Sequence, residues 1–122
     1  MRSFTVTNLT RGRRVAVRVL LADRWWLRLR GLLGRSPLRE GEGLMLTPCK
    51  AVHMVGMRYP IDVVFLDRNG GVVATYHRME PGSRSHWHQG AEMALELQAG
   101  TLETTETRAG DSLQWVPCSE AA

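Results

Sequence analysis

The sequence predicts a mainly β fold: a jelly-roll-like sandwich or partly closed barrel of seven or eight short strands, with one N-terminal helix over about residues 23–33. Short segments in which apolar and polar residues alternate recur along the chain, and this alternation is the period of a strand. Turn-forming Gly, Asn and Asp residues separate these segments. The 122 residues contain no repeat and no linker, so we expect a single domain over residues 1–122.

Two strands and the helix are predicted in the N-terminal part of the chain. Residues 4–8 form a short strand, and residues 14–19, in which three Val alternate with Arg and Ala, form a half-buried one after a turn at 10–13. Asp23 suits the N-cap of the helix and Gly34 the position just past its end. The apolar face of the helix is expected to pack on the sheet and consists of Trp25, Trp26, Leu29, Leu32 and Leu33.

The rest of the chain is predicted to be strands and turns. The strands cover residues 44–46, 61–66, 72–76, 93–98 and 113–115, with turns at 67–71 and 109–111 and a surface loop at 80–90. Residues 93–98 alternate, which predicts a half-buried strand. In the strand 61–66, alternation places Asp62 on the face of Val64 and Leu66. A carboxylate there needs a partner, either backbone amides or an Arg.

Composition and charge narrow the class of protein. The chain has no apolar run of about 18 residues and no secretory signal, so we expect a cytoplasmic protein without a transmembrane segment. Cys49 and Cys118 could form one disulfide on count alone, but free thiols are expected in a reducing compartment. The net charge of +4 divides into +9 over residues 1–39 and −5 over residues 40–122, which leaves binding to nucleic acid or an anionic surface open as an alternative. Fifteen of the sixteen basic residues are Arg, so a general bias towards Arg explains the same pattern and nucleic acid is not the expected partner.

The segment from Cys49 to Asp67 carries the most chemistry. It places a thiol, an imidazole, two thioethers and a carboxylate next to the strongest predicted strand. These side chains could line a groove or could fill the core, since Met suits irregular core gaps. The candidate groove residues are His53, Met57 and Asp62, with Arg30 and Arg58 as possible partners of the carboxylate.

Metal binding is the alternative chemistry. The candidate ligands are Cys49, His53, His86, His88 and Glu92. A structural zinc site usually has four Cys or His ligands, and the segment 49–62 supplies only Cys49 and His53. No nucleophile elbow, phosphate-binding loop or dinucleotide fingerprint is present, so we predict no catalytic residues and no cofactor, and a metal only as this alternative.

Several segments together resemble one known family. They are Arg30-Gly31-Leu32-Leu33-Gly34-Arg35, Gly43-Leu44-Met45-Leu46, the run 57–67, Leu95-Glu96-Leu97-Gln98-Ala99-Gly100 and Gly110-Asp111. Their order and spacing resemble the bacterial and archaeal domain of unknown function 192 family over about residues 14–116. The resemblance implies a compact, mostly β domain and no established activity.

The sequence therefore favours a small, non-enzymatic β module. We expect it to bind a small ligand, a peptide or a partner protein through a groove near residues 49–62. The alternatives are a metal-binding protein or metal-dependent enzyme that uses His53 or the pair His86 and His88, and a protein that binds nucleic acid or anionic surfaces through its Arg-rich half.

Overall fold

The computed structural model describes residues 2–24 and 37–118, and these residues form the mainly β fold that the sequence predicts. They contain seven strands and one short helix: β1 (Ser3–Asn8), β2 (Arg13–Ala22), β3 (Glu42–Leu46), β4 (Ile61–Leu66), β5 (Val72–Met79), β6 (Met93–Gln98), α1 (Thr101–Thr105) and β7 (Leu113–Pro117). Most of the helix predicted over residues 23–33 lies outside the described residues.

The seven strands form one curled sheet in the order β5-β4-β6-β3-β2-β1-β7. Only β2 and β3 pair in parallel, and the other neighbouring strands are antiparallel. The β4–β5 turn reaches the start of β7, where the Leu113 amide donates to the Gly70 carbonyl and the Val72 amide to the Asp111 carbonyl, both at 2.8 Å. Gly70 has a φ of 88°, and a Cβ there would overlap the Leu113 carbonyl oxygen, so glycine is required for this approach.

Both faces of the sheet are covered. On one face, called the helix face, Val64, Leu66, Leu95 and Leu97 pack with Leu102 of α1. On the other, called the loop face, a second cluster contains Ile61, Val63, Phe65 and Ala94 together with Val52 and Met54. Strand β6 lies between β3 and β4, so five of its six residues are buried. The prediction of a half-buried strand at 93–98 is therefore wrong, because alternation reports exposure only where one face of a sheet is open to water.

A β-bulge interrupts the alternation in β2. The amides of Val17 and Arg18 both donate to the Gly41 carbonyl, at 2.8 and 2.9 Å. Val15 and Val19 point into the core, whereas Val17 is 49% exposed. The sequence predicts one apolar face for all three valines, and the structure corrects this because the bulge rotates Val17 outwards.

A buried polar network joins the end of α1 to the β1–β2 hairpin. The Asn8 amide group donates to the Thr107 hydroxyl at 3.1 Å and to the Asp111 carboxylate at 3.0 Å. Arg11 adds a bidentate pair to Asp111, with Nε–Oδ2 and Nη2–Oδ1 distances of 3.0 and 3.1 Å. These hydrogen bonds from Arg11 hold the pKa of Asp111 down at about 2, so the carboxylate is charged at neutral pH.

Candidate functional site

Two loops lie side by side over the loop face: loop A, residues 49–59, and loop B, residues 80–92. Backbone hydrogen bonds join them, from Met54 N to Ser83 O at 2.7 Å and from Ser85 N to Val52 O at 2.9 Å. The Lys50 ammonium group adds contacts to two carbonyls of loop B, those of Gln89 and Ala91, at 2.7 and 2.6 Å. The loops therefore hold each other in place, and what they present to solvent has a fixed geometry.

A groove of about 490 Å³, called the loop groove, lies between these loops. Its lining residues are Ala51, Val52, His53, Val55, Arg84, Ser85 and Trp87. Trp87 is 68% exposed and Val55 is 55% exposed, although both are large and apolar. The indole N–H of Trp87 donates to the Gln89 side-chain oxygen at 2.9 Å. These lining residues include Arg84 and no Asp or Glu, so the groove combines apolar residues with a positively charged one.

Of the other predicted groove residues, Met57, Arg58 and Asp62 do not line the loop groove. Met57 is half-buried and packs on the loop-face core, and Arg58 is exposed. Arg30 lies outside the described residues. Asp62 is fully buried on the helix face, as its alternation with Val64 and Leu66 predicts. Loop A covers the opposite face, so His53 is the predicted residue that the described part of the structure places in this groove.

Asp62 binds backbone amides. Its Oδ1 accepts the amide of Arg78 at 2.9 Å, and its Oδ2 accepts those of Gly100 at 3.1 Å and Leu102 at 2.9 Å. Three N–H donors satisfy a carboxylate that would otherwise be costly to bury. Asp62 therefore fixes the position of the end of β5 relative to the start of α1.

The candidate metal ligands of loop B do not converge. Nε2 of His88 lies 2.6 Å from the Tyr76 hydroxyl, and its ring packs on Phe65 with centroids 4.6 Å apart. Burial lowers the pKa of His88, and the neighbouring His86 lowers it further, which favours the neutral imidazole. Within residues 2–24 and 37–118, no three His, Cys, Asp or Glu side chains are grouped closely enough to hold a metal ion. The Cys49 thiol donates to the Ala51 carbonyl at 3.2 Å, and Cys49 and Cys118 form no disulfide.

A buried acid that the sequence analysis does not single out lies on the loop face. Glu96 is 6% exposed and lies opposite Leu44 on one side and Val63 on the other. Its Oε1 and the hydroxyl of Tyr59 are buried and have no hydrogen-bond partner in the described part of the chain. Burial raises the pKa of Glu96 to about 7. Burial also raises the pKa of Tyr59, and the charge of Glu96 raises it further.

The family model of domain of unknown function 192, described as "Uncharacterized ACR", matches residues 6–115. The chain belongs to this family. The resemblance that the sequence motifs indicate is thus confirmed.

This family member is similar to two UPF0127 proteins in sequence and to a solved structure in fold. A UPF0127 protein of Pyrococcus furiosus is 29% identical over 113 residues, which are 88% of this chain and 95% of the relative. A UPF0127 protein of Thermococcus sibiricus is also 29% identical over 113 residues, which are 72% of that protein. The crystal structure of a protein of unknown function from Novosphingobium aromaticivorans shares the fold, with a TM-score of 0.79 and 24% identity over 93% of this chain and 84% of the other.

No helix among the described residues is long and apolar enough to cross a membrane.

Proposed function

We propose that this protein is a non-enzymatic binding module that takes an extended, acidic and apolar segment of a partner protein into the loop groove. The observation that carries this proposal is the exposed Trp87 beside Arg84 on a braced pair of loops. Trp and Arg are the residue types that contribute most to protein–protein binding energy. Because the loops are already joined to each other, little ordering of the protein opposes binding.

Charge complementarity supports an acidic partner segment. Arg84 can form a bidentate pair with a carboxylate, while Trp87 and Val55 offer apolar surface for a neighbouring side chain. The groove also contains a serine and a histidine, Ser85 and His53, but the serine hydroxyl already has two backbone partners. Ser85 Oγ accepts the Val52 amide at 3.0 Å and donates to the His86 carbonyl at 2.9 Å. These contacts favour a bracing role for Ser85 over a nucleophilic one.

Selection from a random 12-residue peptide library, followed by calorimetry on the selected peptides, tests the proposal. Selected peptides are expected to place Asp or Glu next to an aromatic or aliphatic residue. Trp87→Ala and Arg84→Ala should each weaken binding at least about tenfold. Val116→Ala, at a 47% exposed apolar position on β7, is the matched control and should bind like the parent. Peptides that lack acidic residues, or that bind the Trp87→Ala protein unchanged, would refute the proposal.

A further inference from the structure

A second concavity, called the helix cleft, lies beside α1 and is separate from the loop groove. We infer that the helix cleft binds a small organic anion, a carboxylate or phosphate with an apolar portion, through Arg14 and Arg78. Its volume is about 690 Å³, within the range of small-molecule pockets. Strand β2 contributes Val15, Ala16 and Val17 to the lining, so the cleft has apolar walls as well as charged ones.

The two arginines of the cleft are available to a ligand. Elsewhere in the protein, Arg11 is ion-paired to Asp111 and Arg13 donates to the Thr104 carbonyl. Within the described residues, the guanidinium groups of Arg14 and Arg78 have neither a hydrogen bond nor an ion pair. Guanidinium groups bind carboxylates and phosphates in bidentate fashion, and these two line one cleft.

The backbone of Arg78 is held in an unfavourable conformation at this cleft. Its φ of 50° lies in the left-handed region, which residues other than Gly adopt infrequently. Asp62 maintains it by accepting the Arg78 amide, and the same carboxylate accepts the amides of Leu102 and of Gly100, which also lines the cleft. Residues in such conformations persist only where the surrounding structure holds them in place, and they cluster at active and binding sites. Asp62 thus acts as a positioning residue for the cleft.

The Arg78 side chain packs closely on Gly100. A Cβ at Gly100 would come within 3.3 Å of Nη2 of Arg78, so a larger residue would require the guanidinium group to shift slightly. The φ of 98° at Gly100 also favours glycine. Residues 78 and 100 therefore meet at the cleft, each in a left-handed backbone conformation.

The remaining polar groups restrict the ligand to a small anion. The hydroxyls of Thr101 and Thr104 already donate to the carbonyls of Gln98 and Gly100, at 2.7 and 3.0 Å. Two carboxylates, Glu40 and Glu103, also line the cleft. They would repel a polyanion such as RNA, whereas a small molecule with its charge at one end can contact the arginines alone.

The test is a titration of the full chain in which amide chemical shifts are the readout. The probes are hexanoate, inorganic phosphate and the neutral analogue hexanamide. Hexanoate or phosphate is expected to shift the amides of Arg78, Gly100 and Thr101 saturably, and hexanamide is not. Arg14→Gln and Arg78→Gly should each lower the affinity for the anion that shifts these amides at least about tenfold. The Arg78→Gly protein should remain folded because glycine favours the left-handed backbone, and its unfolding midpoint verifies this.

Arg68→Gln, which removes an exposed positive charge from the β4–β5 turn, is the matched control. It should leave affinity within about twofold of the parent, as expected for screened charges far from the ligand. The inference is overturned if neither anion gives saturable shifts at the cleft, if hexanamide binds as well as hexanoate, or if the control weakens binding as much as the cleft variants do.

Discussion

Replacement of Glu96 by Gln is expected to stabilise the protein above neutral pH and to change its response to pH. Glu96 lies in the central strand β6, buried, with Oε1 unpaired in the part of the chain that the structure describes. Its pKa is raised from 4.5 to about 7 by burial, so the folded protein holds this proton over a range in which the unfolded chain has lost it. The contribution of Glu96 to the free energy of unfolding therefore falls as pH rises from about 4.5 to about 7, and is constant above that range.

The size of the effect follows from the raised pKa. Each pKa unit corresponds to 1.36 kcal/mol, so the shift from 4.5 to about 7 costs the folded protein about 3 kcal/mol once the pH is well above 7. A glutamine side chain at this position cannot ionise, but its amide still needs partners, which reduces the gain to about 1–3 kcal/mol at pH 8. Near pH 4.5 the two proteins should differ much less.

Urea unfolding at half-unit steps from pH 4.5 to pH 8 measures this difference. Comparison with the parent at each pH cancels the contribution of every other titrating group. Glu80→Gln, at an exposed position, serves as the control and should show no pH-dependent difference. A difference between the Glu96→Gln protein and the parent that is flat across this range, or that favours the parent as pH rises, would refute the reasoning.

Two further substitutions test the packing of the domain. Asp111→Ala should lower the free energy of unfolding by about 1–3 kcal/mol at pH 7, because the buried amide group of Asn8 loses a charged acceptor. The pKa of Asp111 is lowered from 3.8 to about 2, so its contribution to stability is present above pH 4 and is lost as pH falls towards 2. Urea unfolding at pH 7 and pH 2.5 should therefore show a smaller loss of stability in the variant at the lower pH. An equal loss at the two pH values would contradict this. Val17→Thr should change stability by less than about 0.5 kcal/mol, whereas Val19→Thr should cost about 1–3 kcal/mol, because only Val19 is buried. Equal losses in thermal melts of the two variants would argue against the bulge.

Local sequence signals are sufficient to predict the strands and turns. Short apolar segments, alternation and turn residues predict each of the strands in residues 37–118, and alternation also places Asp62 on the correct face of β4. These are properties of neighbouring residues, which the sequence carries directly. The short helix α1 was missed because its five residues include three Thr, a residue type that favours strands over helices.

What depends on distant parts of the chain could not be predicted. The bulge at Val17 requires the carbonyl of Gly41, which the residues around Val17 do not reveal. The burial of Glu96 depends on the position of β6 between β3 and β4, and in an edge strand the same alternation would place this acid in water. The partners of Asp62 are backbone amides, which have no signature in the sequence. The sequence singles out His53, but Trp87 and Arg84 lie beside it in the loop groove only because two separate loops pair.

The pairing of β1 with β7 affects how the chain can fold as it is synthesised. Val6 lies opposite Trp115, so one edge of the first strand has no partner until nearly the whole domain has been made. An unpaired strand edge can associate with other chains, and contacts between residues far apart in sequence slow folding. We therefore expect nascent or truncated chains that lack β7 to aggregate, and the full chain to fold more slowly than a helical protein of the same length.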